Sequence, residues 1–369
     1  MALSDTTILE LLQPVREPRL RASVVDLGLV KGVGGVKRGR VSLRLSALEP
    51  SLRTRTQLTN DVTEALRRGG AADDVRVEID PMTAEEQRST YEQLVGAGHQ
   101  GARTVPFDQP GNRTRVLGIS SGKGGVGKSS VTVNLAICLA KAGHQVAILD
   151  ADVYGFSIPK MLGIDEDPVT LEDIMVPPVA YGVAVISTGF FVGDDQAVIW
   201  RGPMLHKALQ QFLVDVWWGD LDYLLVDMPP GTGDVALSMA QYIPRSEVYV
   251  VTTPQAAAQR VAQRSAAMAT KLNLPLRGVI ENMSWFTGDD GKRYEIFGAG
   301  GGAELADRLG VPLLGQVPLV PALREGGDIG VPIAIADPDS EAARALAATA
   351  DAVAALGPKR IYNAGLKIT

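Results

Sequence analysis

From residue 114 onward the chain repeats one arrangement: a short, nearly unbroken apolar run, then a longer stretch of helical character. The runs are VLGIS (116–120), QVAILD (145–150), VAVIS (183–187), DYLLVD (222–227), EVYVVT (247–252), LRGVIE (276–281) and LLGQV (313–317). Strands that are apolar on both sides belong to a parallel sheet covered by helices on both faces. The pattern therefore predicts a doubly wound, mostly parallel α/β domain over 114–356. Its closing helix is DSEAARALAATADAVAAL, after a DPDS start with the acids and proline that helix N-termini favour.

Residues 1–95 have a different texture and predict a small α/β domain. SVVDLGLVKGV (23–33) and VSLRLSAL (41–48) alternate as strands do, DVTEALRRGG reads as a helix closed by glycine, and VRVEID reads as a further strand. Residues 96–113, GAGHQGARTVPFDQPGNR, mix glycine, proline and polar residues without periodicity and read as a linker. The tail 357–369 is expected to be loosely ordered.

Between the first run and the helix after it stands ISSGKGGVGKSSVTVN (119–134). Gly122-x4-Gly127-Lys128-Ser129 fits a phosphate loop, and it has the required context of strand before and helix after. Glycines let backbone N–H groups turn inward around phosphate oxygens, and the helix N-terminus adds partial positive charge. Lys128 is expected to reach the β- and γ-phosphates of a nucleotide, and the Ser129 hydroxyl to ligate Mg²⁺. The nucleotide cradle is expected to comprise Gly122, Lys123, Gly124, Gly125, Val126, Gly127, Lys128, Ser129 and Ser130. LLVDMPPGTGD ends a strand at Asp227, where a metal-facing carboxylate belongs in phosphoryl transfer. ILDADVYG ends another at Asp150 and Asp152. Three strand ends thus bring a cation loop and carboxylates to one carboxyl edge of the sheet.

Bulk properties narrow the partners. A net charge of −6 argues against bare nucleic acid as the main partner. No apolar run is long enough to span a bilayer, and MALSDTTILELLQPVRE has no basic region followed by an apolar core, so neither a membrane protein nor a signal peptide is expected. One cysteine rules out an intrachain disulfide framework and fits a reducing cytoplasm. His99, His144 and His206 are scattered without metal-ligand spacing.

GKGGVGKS resembles the deviant phosphate loop shared by MinD, ParA and the nitrogenase iron protein. Within that group the chain is most similar to the Mrp/ApbC family of ATPases. The likeness rests on LDADVYGFSIPKMLG, WRGPMLHKALQQFLVDVWWGDLDYLLVDMPPGTGD, VTTPQ, IENMS and FGAGGGAELADRLGVPLLGQVPLVPALREGGDIGVPIAIADPDS, which cover nearly all of 116–345. EPRLRASVVDLGLVKGV also resembles the small domain that precedes this ATPase in many Mrp proteins, where it is associated with iron–sulfur assembly. The resemblance implies ATP and Mg²⁺ as cofactors, slow hydrolysis, and a homodimer in which Lys123 crosses to the partner's nucleotide. It implies that Asp152 positions or activates the attacking water. Asp150 would sit near the magnesium, and Asp227 would hold it through water. Gly231, Thr232 and Gly233 would form a switch, and Asn282 would bond the adenine edge. Arg201, in WRGPM, is a candidate switch contact with no physical assignment.

Two positions depart from the family. Most relatives carry a Cys-x-x-Cys pair after the aromatic of ENMSWF, and two subunits share an iron–sulfur cluster there. This chain reads Thr287-Gly288-Asp289-Asp290-Gly291, ordinary hairpin-turn residues. Where relatives often have a cysteine before proline in the N-terminal domain, Glu49 precedes Pro50. The remaining Cys138 falls with Val131, Leu135, Leu139 and Ala142 on one helix face, which reads as core packing. Two functions follow. One is an ATPase of iron–sulfur assembly acting with protein clients or assembly partners, with cluster ligation by the chain itself unsupported. The other is a nucleotide-switched interaction protein. A MinD- or ParA-like positioning role is disfavoured by the acidic pI and by a tail without the pattern of a membrane-surface helix.

Overall fold

A computed structural model of the protein describes residues 4–37, 40–71, 74–96, 104–191, 202–231 and 233–358. Arg201, Thr232, residues 97–103 of the expected linker and 359–369 of the tail lie outside the described residues. The chain forms two compact units. The first takes Met1–Arg103 together with Pro168–Pro177 and Asp215–Gly219, two stretches numbered inside 114–356; the second takes the rest.

The first unit is a three-stranded sheet with helices. Val30–Lys37 runs antiparallel to Arg40–Ala47, which pairs parallel with Asp74–Pro81. The helix Leu52–Arg68 begins where Ser51 Oγ accepts the Thr54 N–H at 3.3 Å, and it buries Leu58, Val62 and Leu66 at a spacing of four. These pack with Leu43 and Leu45 of the middle strand and with Leu171, Ile174 and Val176 of the inserted hairpin. The strand expected over 23–33 starts only at Val30. Ser23 Oγ accepts the Val25 N–H, the Leu27 N–H bonds the Ser23 carbonyl, and Gly28 has φ +64°. These turns bury Val24, Leu27 and Leu29, so the apolar residues of this stretch are covered without a strand.

In the second unit all seven apolar runs are strands of one eight-stranded sheet. Across the sheet the order is Leu313–Val317, Leu276–Asn282, Glu247–Thr252, Arg115–Ser121, Tyr223–Asp227, Val146–Asp150, Val183–Ser187 and Val179–Ala180. Only the last, a two-residue edge strand, is antiparallel. The chain starts in the middle, steps outward on one side, returns to insert Tyr223–Asp227 beside the first strand, then builds the other side. That return places Asp227 directly opposite Asp150 in a parallel register. The helix Lys128–Lys141 is buried along most of its length, against the sheet on one side and the C-terminal helix Glu341–Ala355 on the other. Ser340 caps the latter by accepting the Ala343 N–H at 3.2 Å. Among the described residues no helix is long and apolar enough to cross a membrane.

A buried ion pair closes the edge of the sheet away from the phosphate loop. Arg115 donates to Glu247 Oε2 at 2.7 Å and to the Val353 carbonyl at 2.9 Å, tying the central strand to its neighbour and to the C-terminal helix. Removing one member of such a pair leaves the other charged and unpaired in a dry site. Arg115→Met should lower the unfolding free energy of the second unit by about 3–5 kcal/mol. The check is a fall in urea midpoint at unchanged slope; a shift under about 1 kcal/mol would mean that Arg277, 3.6 Å from the same carboxylate, takes over.

Candidate functional site

At the carboxyl edge of the sheet the glycine loop folds over the start of the helix Lys128–Lys141. Gly125 and Gly127 have φ of +78° and +77°, a region open to glycine. Close approach also demands glycine: a Cβ on Gly122 would lie 2.2 Å from the Ala262 backbone nitrogen, and one on Gly127 would lie 2.2 Å from Asn282 Nδ2. The loop walls a cleft of about 530 Å³, with Lys123, Lys128, Ser129, Asp152 and Gly233 on its lining.

The charges converge on Asp227, which is fully buried. Its Oδ2 accepts from Lys128 Nζ at 2.5 Å and from Ser129 Oγ at 2.6 Å; its Oδ1 accepts from Thr132 Oγ1 at 2.7 Å. A buried carboxylate needs such partners, because the apolar strand supplies none. Lys128 also lies 3.6 Å from Asp152, whose other oxygen accepts the Gly155 N–H at 3.1 Å. Asp150 points inward as well. Ser187 Oγ donates to it at 2.9 Å and the Asp152 N–H at 3.2 Å. Burial, with the adjacent Asp227 adding to it, pushes the Asp150 carboxyl up to about 7.

The remaining expected residues surround this centre. Val126 is buried, while Gly124, Gly125 and Ser130 line the cleft with Lys128. Lys123 Nζ donates to Gln255 Oε1 at 3.2 Å within the same protomer. Gly231 has φ +98°; its N–H bonds the Ser121 carbonyl at 2.8 Å, and its own carbonyl accepts from Ser265 Oγ at 3.1 Å. Gly233 precedes the helix Asp234–Tyr242. Asn282 lines a neighbouring hollow of about 200 Å³ with Met283, Pro318, Leu319 and Leu323. One of its amide hydrogens is committed to the Val126 carbonyl at 2.9 Å, so it braces the loop.

Four polar residues in this network are given no role from the sequence: Thr132, Ser187, Gln255 (the last residue of VTTPQ) and Ser265. Thr132 was detectable, since it lies four residues beyond Lys128 and so on the same helix face. Ser187 ends the VAVIS strand beside Asp150. Gln255 and Ser265 meet the loop only through the strand order.

The donor set suits a hard cation. Ser129 and Asp227 offer oxygen, and magnesium takes one or two carboxylates plus phosphate oxygens rather than a protein cage. A soft thiolate centre has no such support. Cys138 packs against the core, and burial pushes its thiol up to about 11. Residues Phe286–Thr287 and Arg293–Tyr294 form a small antiparallel hairpin, with Asp290 in its turn accepting from the Lys292 N–H and the Tyr294 hydroxyl. Among the described residues no cluster of three or more His, Cys, Asp or Glu is arranged to hold a metal ion.

A family model described as ParA, NUBPL iron-transfer P-loop NTPase, matches residues 112–354. A Mycobacterium bovis protein named iron-sulfur cluster carrier protein is 44% identical over 96% of this chain and 93% of its own length. A Synechocystis protein of the same name is 40% identical over 95% and 97%. Among solved structures, a nucleotide-binding protein from Archaeoglobus fulgidus in complex with ADP is 32% identical, covers 62% of this chain and 89% of its own, and superposes with a TM-score of 0.54. The Pyrococcus furiosus cell division ATPase MinD is 26% identical over 66% and 99%, with a TM-score of 0.50.

The raised Cys138 thiol has a direct readout. At pH 8 almost none of it is thiolate, so a thiol reagent should leave the native protein unmodified for hours and label one site per chain within minutes in urea. Equal rates in both states would refute the packed, inert assignment.

Proposed function

The chain belongs to the NUBPL iron-transfer P-loop NTPase family, the Mrp/ApbC group, and we propose that it is a magnesium-dependent ATPase that works as a homodimer. The observation that carries this reading is the meeting of Lys128, Ser129, Asp227 and Asp152 at one cleft edge. Lys128 is balanced by two carboxylates. The phosphates of ATP compete for it with a higher charge, so binding transfers Lys128 from Asp227 to the β- and γ-phosphates and leaves Asp227 free to face a cation. Ser129 and Asp227 would hold Mg²⁺, Asp227 through water, with Asp150 behind it; bound there, the ion neutralises charge on the phosphate oxygens. Asp152, 3.6 Å from Lys128, orients the water that attacks the γ-phosphate.

Lys123 is the second cation of the loop. In the proposed dimer it releases Gln255 and reaches the partner's nucleotide, where a positive charge stabilises the transferring phosphoryl group. Gly231 and Gly233 change backbone conformation as the γ-phosphate comes and goes, and Ser265 carries that change into the helix Ala256–Lys271. Adenine occupies the hollow beside Asn282, whose unused amide groups face the base.

The relatives are named iron-sulfur cluster carrier proteins, and we take iron–sulfur assembly, with the cluster as cargo, as the biological setting; a cytoplasmic location and protein clients are part of the proposal. The residues of this chain do not fit that cargo, because one inert thiol and a carboxylate turn are poor ligands for it. No step is therefore routed through a cluster. The same mismatch favours a second reading, a nucleotide-switched adaptor that acts on proteins which themselves hold the cluster. Neither DNA nor a membrane surface is needed by either reading.

Lys128→Ala should abolish tight nucleotide binding in calorimetry, and Asp152→Ala should keep binding while hydrolysis falls at least about a hundredfold. Lys123→Ala should lose ATP-dependent dimerisation in sedimentation; full hydrolysis by the Asp152 variant, or an unchanged dimer in the Lys123 variant, contradicts the assigned roles. Anaerobic incubation with iron and sulfide should leave the desalted protein colourless with intact ATPase. Stoichiometric iron that disappears in Cys138→Ser would restore the carrier reading.

A further inference from the structure

We infer that Thr132 is a positioning residue for the metal-facing carboxylate: its hydroxyl pins Oδ1 of Asp227 so that Oδ2 is presented to a cation held at Ser129. The inference rests on the proposed nucleotide chemistry and extends it to a residue outside the loop motif.

Three side chains donate to Asp227, and they are not equivalent. Lys128 and Ser129 both serve Oδ2, at 2.5 and 2.6 Å. Thr132 alone among the three serves Oδ1, at 2.7 Å. Nucleotide binding draws Lys128 away to phosphate and turns a lone pair of Ser129 toward the cation. Thr132 has no such second task. It is fully buried, as Asp227 is, so water does not replace it.

The orientation of a carboxylate is otherwise weakly set. Its terminal torsion is broad and roughly two-fold, so a plane with one engaged oxygen and one free oxygen needs an external pin. Asp150 stands opposite Asp227 in the neighbouring strand, while Thr132 reaches Asp227 from the helix Lys128–Lys141.

An ordinary helical role is the competing account. Thr132 Oγ1 also lies 3.0 Å from the Lys128 carbonyl, the back-bond that threonines make inside helices. A hydroxyl has one proton, and the carboxylate oxygen is both nearer and charged, so it is the better acceptor. The two accounts differ in what they predict for metal affinity. Losing a hydrogen-bond partner that orients a metal ligand costs about 10–100-fold in affinity. Losing a helical back-bond costs stability alone.

The test titrates Mg²⁺ into the full-length protein with a fluorescent ATP analogue, for the wild type, Thr132→Val and Thr132→Ser, beside thermal unfolding of each. Thr132→Val should need about tenfold or more Mg²⁺ for half-maximal binding, while its affinity for the analogue in EDTA stays unchanged. Thr132→Ser, which keeps the hydroxyl, should stay within about threefold of the wild type. If the valine variant does not fold, Thr132→Ala replaces it with the same expectation. A wild-type Mg²⁺ midpoint in the variant without the hydroxyl overturns the inference, even if its melting temperature falls. So does a serine variant as impaired as valine. Binding by the wild type that ignores Mg²⁺ would overturn the proposed function itself.

Discussion

The contact between Lys128 and Asp227 is the constraint on which the second unit depends. Asp227 has no exposed surface, and it ends a strand in which every residue is buried. An ionised carboxylate is tolerated there only with a cation and hydrogen bonds around it. The glycine loop supplies the cation because its glycines, without Cβ atoms at the points of closest approach, bring the start of the next helix down onto the strand end. The loop, the first turn of the helix and the strand Tyr223–Asp227 are thereby joined through one side chain. A polyphosphate and a divalent cation can replace Lys128 as its counter-charge, so the contact that stabilises the unliganded site is also the one that binding rearranges.

The helix Ala256–Lys271 is the other neighbour of the loop. The Gly122 backbone touches it so closely that no side chain fits between them. Gln255, just before its first turn, holds Lys123; Ser265, further along, bonds both Ser120 and the Gly231 carbonyl. One rigid element thus meets the phosphate loop, the early lysine and the switch glycine. In an α-helix these contacts move together, so under the proposed function this helix links the nucleotide site to the surface of the unit.

The hairpin at the position where the family resemblance implies paired cysteines has its own means of support. The Arg293 guanidinium lies 4.2 Å from the Trp285 ring centroid. Glu341, at the start of the C-terminal helix, accepts from Trp285 Nε1 at 3.1 Å, Thr287 Oγ1 at 2.8 Å and Arg293 at 2.9 Å. Charge pairing and ring stacking therefore order this segment without a metal. The hard carboxylates and the stacked guanidinium have little affinity for soft metal centres.

Much of this protein was legible in its sequence, because the physics of a buried parallel sheet is local. Apolar runs between helical stretches determined seven strands, and a glycine loop between strand and helix marked the proposed phosphate site. The stretch 23–29 was misread as strand because turns can bury apolar residues set among polar ones, here Val24, Leu27 and Leu29, as readily as a strand does. What the sequence left undetermined is the lateral order of the strands. Alternation along the chain is the same whether Tyr223–Asp227 lies at an edge or beside the first strand, yet only the inserted position sets Asp227 opposite Asp150 and against Lys128. The partners that arrive across such gaps, Thr132, Ser187, Gln255 and Ser265, are ordinary polar residues in the sequence. Thr132 and Ser187 matter because they lie buried beside Asp227 and Asp150, Gln255 because it holds Lys123, and Ser265 because it bonds the Gly231 carbonyl; apart from the helix spacing of Thr132 from Lys128, those pairings are decided by tertiary packing.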